Sequence, residues 1–347
     1  GKTTTKELTA ALLGARYRVF RNQGNLNNHI GLPLSLLELR TGPDIAVVEL
    51  GMNHAGEIRT LVGIAEPDVR LWTNVGDAHI GHFGSREKIA DAKAEILEGA
   101  TLSSVLVANA DDPLIATRIC DFPGRVIRFG ESPRADVRAI DIADHGFDGT
   151  AATIVIAGES QRITLPLPGR ANLWNALAAM AVAAEAGVSM SAMVERLAAA
   201  GAVARRGEVT TLANGVRLVD DSYNASPAAT MRTLETLAAT PASRRIAVLG
   251  EMRELGDLAL ALHRSCGEAA ARAGVDVLVA IGGPAADGLV EGARAAGMAD
   301  DRIHRFAESA AAADAISGLV QAGDLVLVKA SRGTRADLVA DRLKGRA

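Results

Sequence analysis

The chain opens on Gly1-Lys2-Thr3-Thr4, the residue types that close a phosphate-binding loop. In such a loop, backbone N–H groups at a helix N-terminus cradle phosphate oxygens. The lysine sets its charge on the β and γ phosphates, and the threonine hydroxyl reaches Mg²⁺. Four residues taken alone fit an exposed lysine ahead of a helix equally well. Glu49 stands near the end of the run Ile45 to Leu50 and precedes Gly51. Its carboxylate therefore falls at the C-terminal edge of a strand, where open α/β sheets bind ligands; capping of the next turn is the alternative. His79 follows the next strand and reaches the same edge, either as a metal or phosphate contact or as a structural histidine. Lys93 lies on a helix that starts at Ser85, a position that also fits a solvated face.

Apolar runs alternating with helical patterns must position these groups, and that alternation predicts a parallel α/β sheet. Helices are expected over 4–14 and 85–97, and strands over 45–50, 69–75 and 105–109. In the second of these helices Ile89, Ala90, Ala94 and Leu97 are expected to face inward, with Lys93 at the edge of that face. From about 126 to 168 short alternating segments, VIRFG, VRAIDIA, TAATIVIA and QRITLPL, read as antiparallel hairpins inserted into the parallel domain. Helices over 172–187 and 189–200 follow, and Gly201 to Gly207 reads as a hinge. A second α/β unit has strands expected at 217–219, 246–250, 275–281, 302–306 and 325–329. Its helices are expected over 227–239, 257–273, 284–296, 308–320 and 334–344. Alanine runs such as Ala310 to Ala313 are expected on helix surfaces.

At 347 residues the chain is long enough for two domains, at about 150 residues each. Thirty-seven Lys plus Arg stand against 41 Asp plus Glu, which gives no sign of the basic stripe of a nucleic-acid binder. Two cysteines, Cys120 and Cys266, lie far apart, so a disulfide scaffold and a zinc ribbon both fail and a cytoplasmic setting is expected. The longest weakly polar run, Ala171 to Ala184, is shorter than the roughly 20 apolar residues of a membrane span and contains Asn172 and Asn175. No signal peptide is evident. A loop of the Gly-Lys-Thr kind is built as strand, turn and helix, and here the strand is missing. A natural region ahead of Gly1 is therefore expected.

The series GKTTTKE (1–7), GNLNNHIGLP (24–33), ELGMNHAGEI (49–58), AHIGHFGS (78–85), AKAEIL (92–97), LPGRANLWNALAA (167–179), DDSYNASP (220–227), LGEMRELG (249–256) and VKASRG (328–333) resembles the Mur ligase superfamily of ATP-dependent amide ligases along essentially the whole chain. That resemblance implies a phosphate-loop mononucleotide-binding parallel sheet over 1–205 with a small antiparallel insert, then a Rossmann-like α/β domain over 207–347. The activity it implies is the attachment of D-alanyl-D-alanine to a UDP-N-acetylmuramoyl-tripeptide through an acyl phosphate, in peptidoglycan precursor synthesis. ATP and Mg²⁺ would be the cofactors. No nucleic acid, no membrane segment and a monomer are expected. An Asp-Asn-Pro-Arg motif that marks a sister ligase is absent.

Residue by residue, the resemblance implies Gly1, Lys2, Thr3 and Thr4 around the triphosphate, with Thr3, Glu49 and His79 on Mg²⁺. Lys93 aligns with a lysine that the family carbamylates to hold a second Mg²⁺. Asn172 and Asn175 fall on the adenine side, and Arg206 and Asp221 where the last domain meets ribose and phosphates. Asn25, Asn27 and Asn28 match the stretch facing the muramoyl peptide; Asn27 and Asn28 also fit simple turn residues. Tyr223, Asn224, Ser331 and Arg332 match the dipeptide side, with Arg332 also readable as a surface charge.

The chain departs from the family pattern at three places: Ser226 for asparagine, Ala330 for glycine, and Arg205 where glycine is common. The domain that binds uridine diphosphate in the family is expected to be missing, which would leave these 347 residues inactive alone. A folylpolyglutamate synthase-like ligase and a non-catalytic nucleotide-binding module are the rival readings.

Overall fold

A computed structural model describes residues 1–24 and 26–345. The strands are β1 (Val19–Arg21), β2 (Ile45–Val47), β3 (Val69–Trp72), β4 (Val105–Asn109), β5 (Arg125–Gly130), β6 (Val137–Asp144), β7 (Thr150–Ile156), β8 (Glu159–Leu165), β9 (Glu208–Thr211), β10 (Arg217–Asp221), β11 (Arg245–Gly250), β12 (Val277–Ile281), β13 (Ile303–Phe306) and β14 (Leu325–Lys329). The chain divides into two compact units. One comprises Gly1–Gly76, Phe83–Asp144 and Gly149–Gly201; the other takes Asp77–His82, His145–Asp148 and the chain from Ala202 onward.

In the first unit β1 and β2 pair in parallel, and a six-stranded sheet runs β3-β4-β5-β6-β7-β8. Here the expectation for VIRFG is corrected. It forms β5, which pairs in parallel with β4 and at Phe129 and Gly130 in parallel with β6. Only β6, β7 and β8 form an antiparallel meander, and they extend the same sheet rather than standing apart from it. Alternation along a strand reports which faces are buried, not the direction of the neighbouring strand, so the pattern could not make that distinction. Behind the sheet the helix Arg170–Glu185 is buried nearly all round, with Leu173, Ala176, Leu177 and Met180 wholly inaccessible. Its alanines let the helix Lys2–Leu13 pack closely, so two helices without strong amphipathy form the interior.

The second unit has strand order β13-β12-β11-β14-β10-β9, parallel except for β9. β12 and β14 are buried at every position, as central strands covered on both faces must be. Along β11 the side chains alternate between two cores. Ala247 and Leu249 join Leu234, Cys266 and Leu289, whereas Ile246 and Val248 join Ile316 and Val339. This is the doubly wound arrangement expected of a Rossmann-like unit. The alanine run corrects a second expectation: Ala312 and Ala313 turn into the core. In the helix Arg86–Ala94 the buried residues are Ile89, Ala90 and Ala92, followed by Glu95 in a 3₁₀ turn, so Ala94 and Leu97 are only half-buried.

Helices Ala259–Arg272 and Asp287–Ala295 meet at backbone distance. A Cβ added to Gly267 would lie 2.1 Å from the Leu289 carbonyl oxygen, and one on Gly292 would lie 2.0 Å from that of Arg264. Among the described residues no helix is long and apolar enough to cross a membrane.

Candidate active site

In the first unit the helix Lys2–Leu13 begins directly after Gly1, with no acidic residue in its first turn. The helix dipole and the exposed Lys2 side chain thus offer positive potential to an anion. The Thr3 hydroxyl donates to Oε2 of Glu49 at 2.8 Å, and Asn27 Nδ2 donates to Oε1 at 2.9 Å. Strand β2 ends at Val47, so Glu49 sits in the turn beyond it, where Asn22 Oδ1 accepts its backbone N–H at 3.0 Å. Glu49 is buried, and among the described residues no lysine or arginine pairs with it. A buried carboxylate held only by neutral donors lacks the compensating charge such a group ordinarily needs. Oxygen donors from one carboxylate and one hydroxyl are what Mg²⁺ takes alongside phosphates and water, so this donor set fits that ion.

Lys93 follows from the Ser85-capped helix Arg86–Ala94. Burial, then the charge of Lys2, push its ammonium down to about 7, against the opposing pull of Asp112. Asp112 accepts from Val75 N at 2.7 Å and from Leu114 N at 3.0 Å, which fixes its carboxylate at the head of a short helix. A neutral Lys93 amine is therefore accessible near pH 7, as reaction with CO₂ requires.

On the opposite side of the loop, Thr5 Oγ1 donates to Asn175 Oδ1 at 3.1 Å. Asn175 Nδ2 donates to Asn172 Oδ1 at 3.0 Å, and Asn172 Nδ2 to the Pro168 carbonyl at 2.8 Å. Asn175 crowds Gly1 so closely that a Cβ there would come within 2.2 Å of Oδ1. Gly1, Thr3, Thr5, Glu49, Asn27, Asn172 and Asn175 thus belong to one hydrogen-bonded neighbourhood. Thr4 lies half-buried on the same first turn. Asn28 does not join it: its Oδ1 accepts from Ile30 N and Gly31 N and heads the helix Gly31–Leu36. Asn25 lies outside the described residues.

The second unit gathers a different set. The Arg206 guanidinium lies 4.1 Å from the centre of the Tyr223 ring, and that of Arg332 lies 5.8 Å away. Asp221 Oδ2 pairs with Lys329 Nζ at 2.5 Å, and the same ammonium donates to the Asn224 carbonyl at 3.2 Å. Ser331 is buried. It accepts from Arg253 N at 3.0 Å and donates to the Ala225 carbonyl, so its hydroxyl ties three strand-end loops together. His79 belongs to this unit, with φ at 67°, and its Nδ1 pairs with Glu254 Oε2 at 2.5 Å. The structure therefore does not bring His79 and Glu49 together within one unit.

Sequence reasoning missed Asn22, Lys6, Asp112 and Glu254. Lys6 is buried and donates to the Asn22 carbonyl, bracing the turn that carries Asn27. Glu254 lay inside LGEMRELG, and Asp112 in the helix-starting Asp-Asp-Pro; both signals were present without a partner to give them meaning.

The Mur ligase middle domain matches residues 1–183, and the Mur ligase, glutamate ligase domain matches 205–332. The UDP-N-acetylmuramoyl-tripeptide–D-alanyl-D-alanine ligase of Bacillus subtilis is 34% identical over 97% of this chain and 72% of its own length. MurF from Acinetobacter baumannii superposes with a TM-score of 0.89 at 32% identity, covering 99% of this chain and 74% of that one. MurF ligase from Thermotoga maritima, solved in complex with ADP, gives 0.87 at 30% identity over 100% and 78%. The chain belongs to the Mur ligase family and is a ligase.

Proposed function

We propose that this chain belongs to a ligase that joins D-alanyl-D-alanine to a UDP-N-acetylmuramoyl-tripeptide at the expense of ATP, and that it contributes the nucleotide and dipeptide sides of that site. The observation that carries the reading is the buried Glu49 carboxylate, which accepts a hydrogen bond from the phosphate-loop Thr3. The substrates in the name of the Bacillus subtilis relative and the ADP bound to the Thermotoga maritima relative support the choice of reactants. In this reading the tripeptide carboxylate attacks the γ-phosphorus and ADP leaves. The acyl phosphate is then attacked at carbon by the dipeptide amine, forming the amide as phosphate departs and the amine loses a proton. Both reactants of the first step are anions, so positioning and charge neutralisation dominate the barrier.

Lys2 and the helix N-terminus would hold the triphosphate. Thr3 and Glu49 would hold Mg²⁺, which when bound neutralises charge on the transferring phosphoryl group. Lys93, as its carbamate, would supply oxygen donors for a second ion: the neutral amine adds CO₂ and releases one proton. His79 would contribute a ring nitrogen, with Glu254 Oε2 2.5 Å from Nδ1 bearing on the orientation of the ring. Asn172 and Asn175 would face the adenine, Arg206 and Asp221 the ribose and phosphates. Asn27 would face the muramoyl peptide, with Asn28 shaping its loop. Tyr223, Asn224 and Arg332 would line the dipeptide side, braced by Ser331.

Phosphate release tests the reading, measured in this chain and in a form extended at its N-terminus to the length of the relatives. Release by the extended form that requires ATP, the tripeptide precursor and D-alanyl-D-alanine together is expected. Release indifferent to the dipeptide would count against it.

A further inference from the structure

Arg205 occupies a backbone conformation, φ 59°, that L side chains seldom adopt and that favours glycine. Glycine would adopt it without strain, so this chain accepts strain there in exchange for a side chain. That side chain is held at two points. One guanidinium nitrogen donates to Asp337 Oδ2 at 2.8 Å and another to Asp341 Oδ2 at 2.9 Å. The two aspartates lie four residues apart, one turn along the helix Asp337–Leu343, so the planar fork spans both. The Arg205 carbonyl meanwhile accepts from Tyr223 N at 3.1 Å. A second tie reaches the end of the same helix: Lys344 pairs with buried Asp220 at 2.8 Å and with Glu208 at 3.3 Å.

We propose that Arg205 is a positioning residue: its grip on Asp337 and Asp341 sets the backbone from which Arg206 lies on the Tyr223 ring. Arg206 is its immediate neighbour, and Tyr223 is bonded to its carbonyl, so both partners of the 4.1 Å contact hang on Arg205. With a glycine in its place the same turn could form, but nothing would tie it to the C-terminal helix. That Arg206 meets a nucleotide rests on the proposed function; what holds Arg206 does not.

The test compares Arg205→Asn, which tolerates the left-handed conformation but lacks the fork, with the double variant Asp337→Ala/Asp341→Ala, which removes both acceptors and leaves Arg205 and its neighbours untouched. The readouts are the Arg206 side-chain NMR signals, displaced by the ring current of Tyr223, and amide exchange at Tyr223. Both variants are expected to move the Arg206 signals toward those of free arginine and to speed Tyr223 exchange by about tenfold. Arg205→Lys, which can reach one aspartate at a time, should fall between them and the parent. Unchanged Arg206 signals in the double aspartate variant would overturn the proposal, whatever Arg205→Asn does. If the ring contact is lost as expected but ATP affinity is unchanged, the nucleotide role of Arg206 fails while the positioning role stands.

Discussion

Thr3 and Glu49 are joined by a 2.8 Å hydrogen bond that links the first turn of the opening helix to the turn after β2. With Asn27 on its other oxygen, the carboxylate is fixed in direction before any ligand arrives. Among the described residues its negative charge meets neutral donors, a hydroxyl and an amide. Such a group is preorganised for a cation.

Glu49→Gln keeps the size and the hydrogen-bonding shape of the side chain and removes its charge. The gain in nucleotide affinity that Mg²⁺ provides is expected to fall about tenfold or more, close to the worth of one charge-assisted contact. Calorimetric titration with and without Mg²⁺ reads this directly. An equal Mg²⁺ gain in variant and parent would remove Glu49 from the metal.

Lys93 carries a pH signature in stability. Its ammonium is pushed down to about 7 in the folded chain from an ordinary value of 10.5, so between those pH values the unfolded chain binds more protons. The burial penalty is therefore full below about pH 7 and fades as pH rises toward 10.5. Replacing Lys93 with methionine removes that penalty. Thermal melts should show Lys93→Met more stable than the parent at pH 7, with the difference shrinking toward pH 10. A constant difference would mean that Lys93 is not desolvated.

The same residue separates structure from chemistry. In the N-terminally extended form, Lys93→Ala should abolish ligation, and added short carboxylic acids should restore part of it by replacing the carbamate oxygens. Full activity without acid would return Lys93 to the solvated-face reading.

Tyr223→Phe should leave the Arg206 contact in place, because the guanidinium meets the ring face rather than the hydroxyl. Tyr223→Leu removes the face and should weaken substrate binding by roughly two- to thirtyfold, for a cation–π contact of about 0.5–2 kcal/mol. A raised KM with the leucine but not the phenylalanine variant is the expected pattern.

Much of this was legible in residue order, and the gaps have physical causes. Strands such as β12 and β14 announce themselves because burial on both faces demands unbroken apolar runs. The three-residue β1 and the helix Gly31–Leu36 carry no such signal. Leu34 and Leu37 near the latter are exposed, and their spacing marks no buried face. β9 was missed because its Glu208 is recruited by Lys344, a contact 136 residues distant. For the site, the motif residues Thr3, Glu49, Asn27 and Asn175 could be named but not their mutual bonds. Asn28 and Ser331 resemble ligand contacts in a motif yet spend their side chains on local loops. His79, like Glu49, follows a strand in the sequence pattern; that Glu254 from LGEMRELG stands against its ring is a pairing that no spacing announces.

The meeting of helices Ala259–Arg272 and Asp287–Ala295 has a consequence for how the second unit can change over time. Gly267 on one helix and Gly288 and Gly292 on the other each press against opposing backbone, so their spacing is set by missing side chains rather than by interlocking ones. A single methyl at any of the three has no rotamer by which to escape, and no neighbouring side chain can yield, because the obstacle is main chain. The helices would have to part, drawing Cys266, Ala270, Leu289 and Ala293 away from the sheet they cover. The pair can therefore drift only as one piece, and tolerated variation is channelled to the outward faces, where Arg264, Glu268 and Arg272 exchange ion pairs that can be redrawn at little cost.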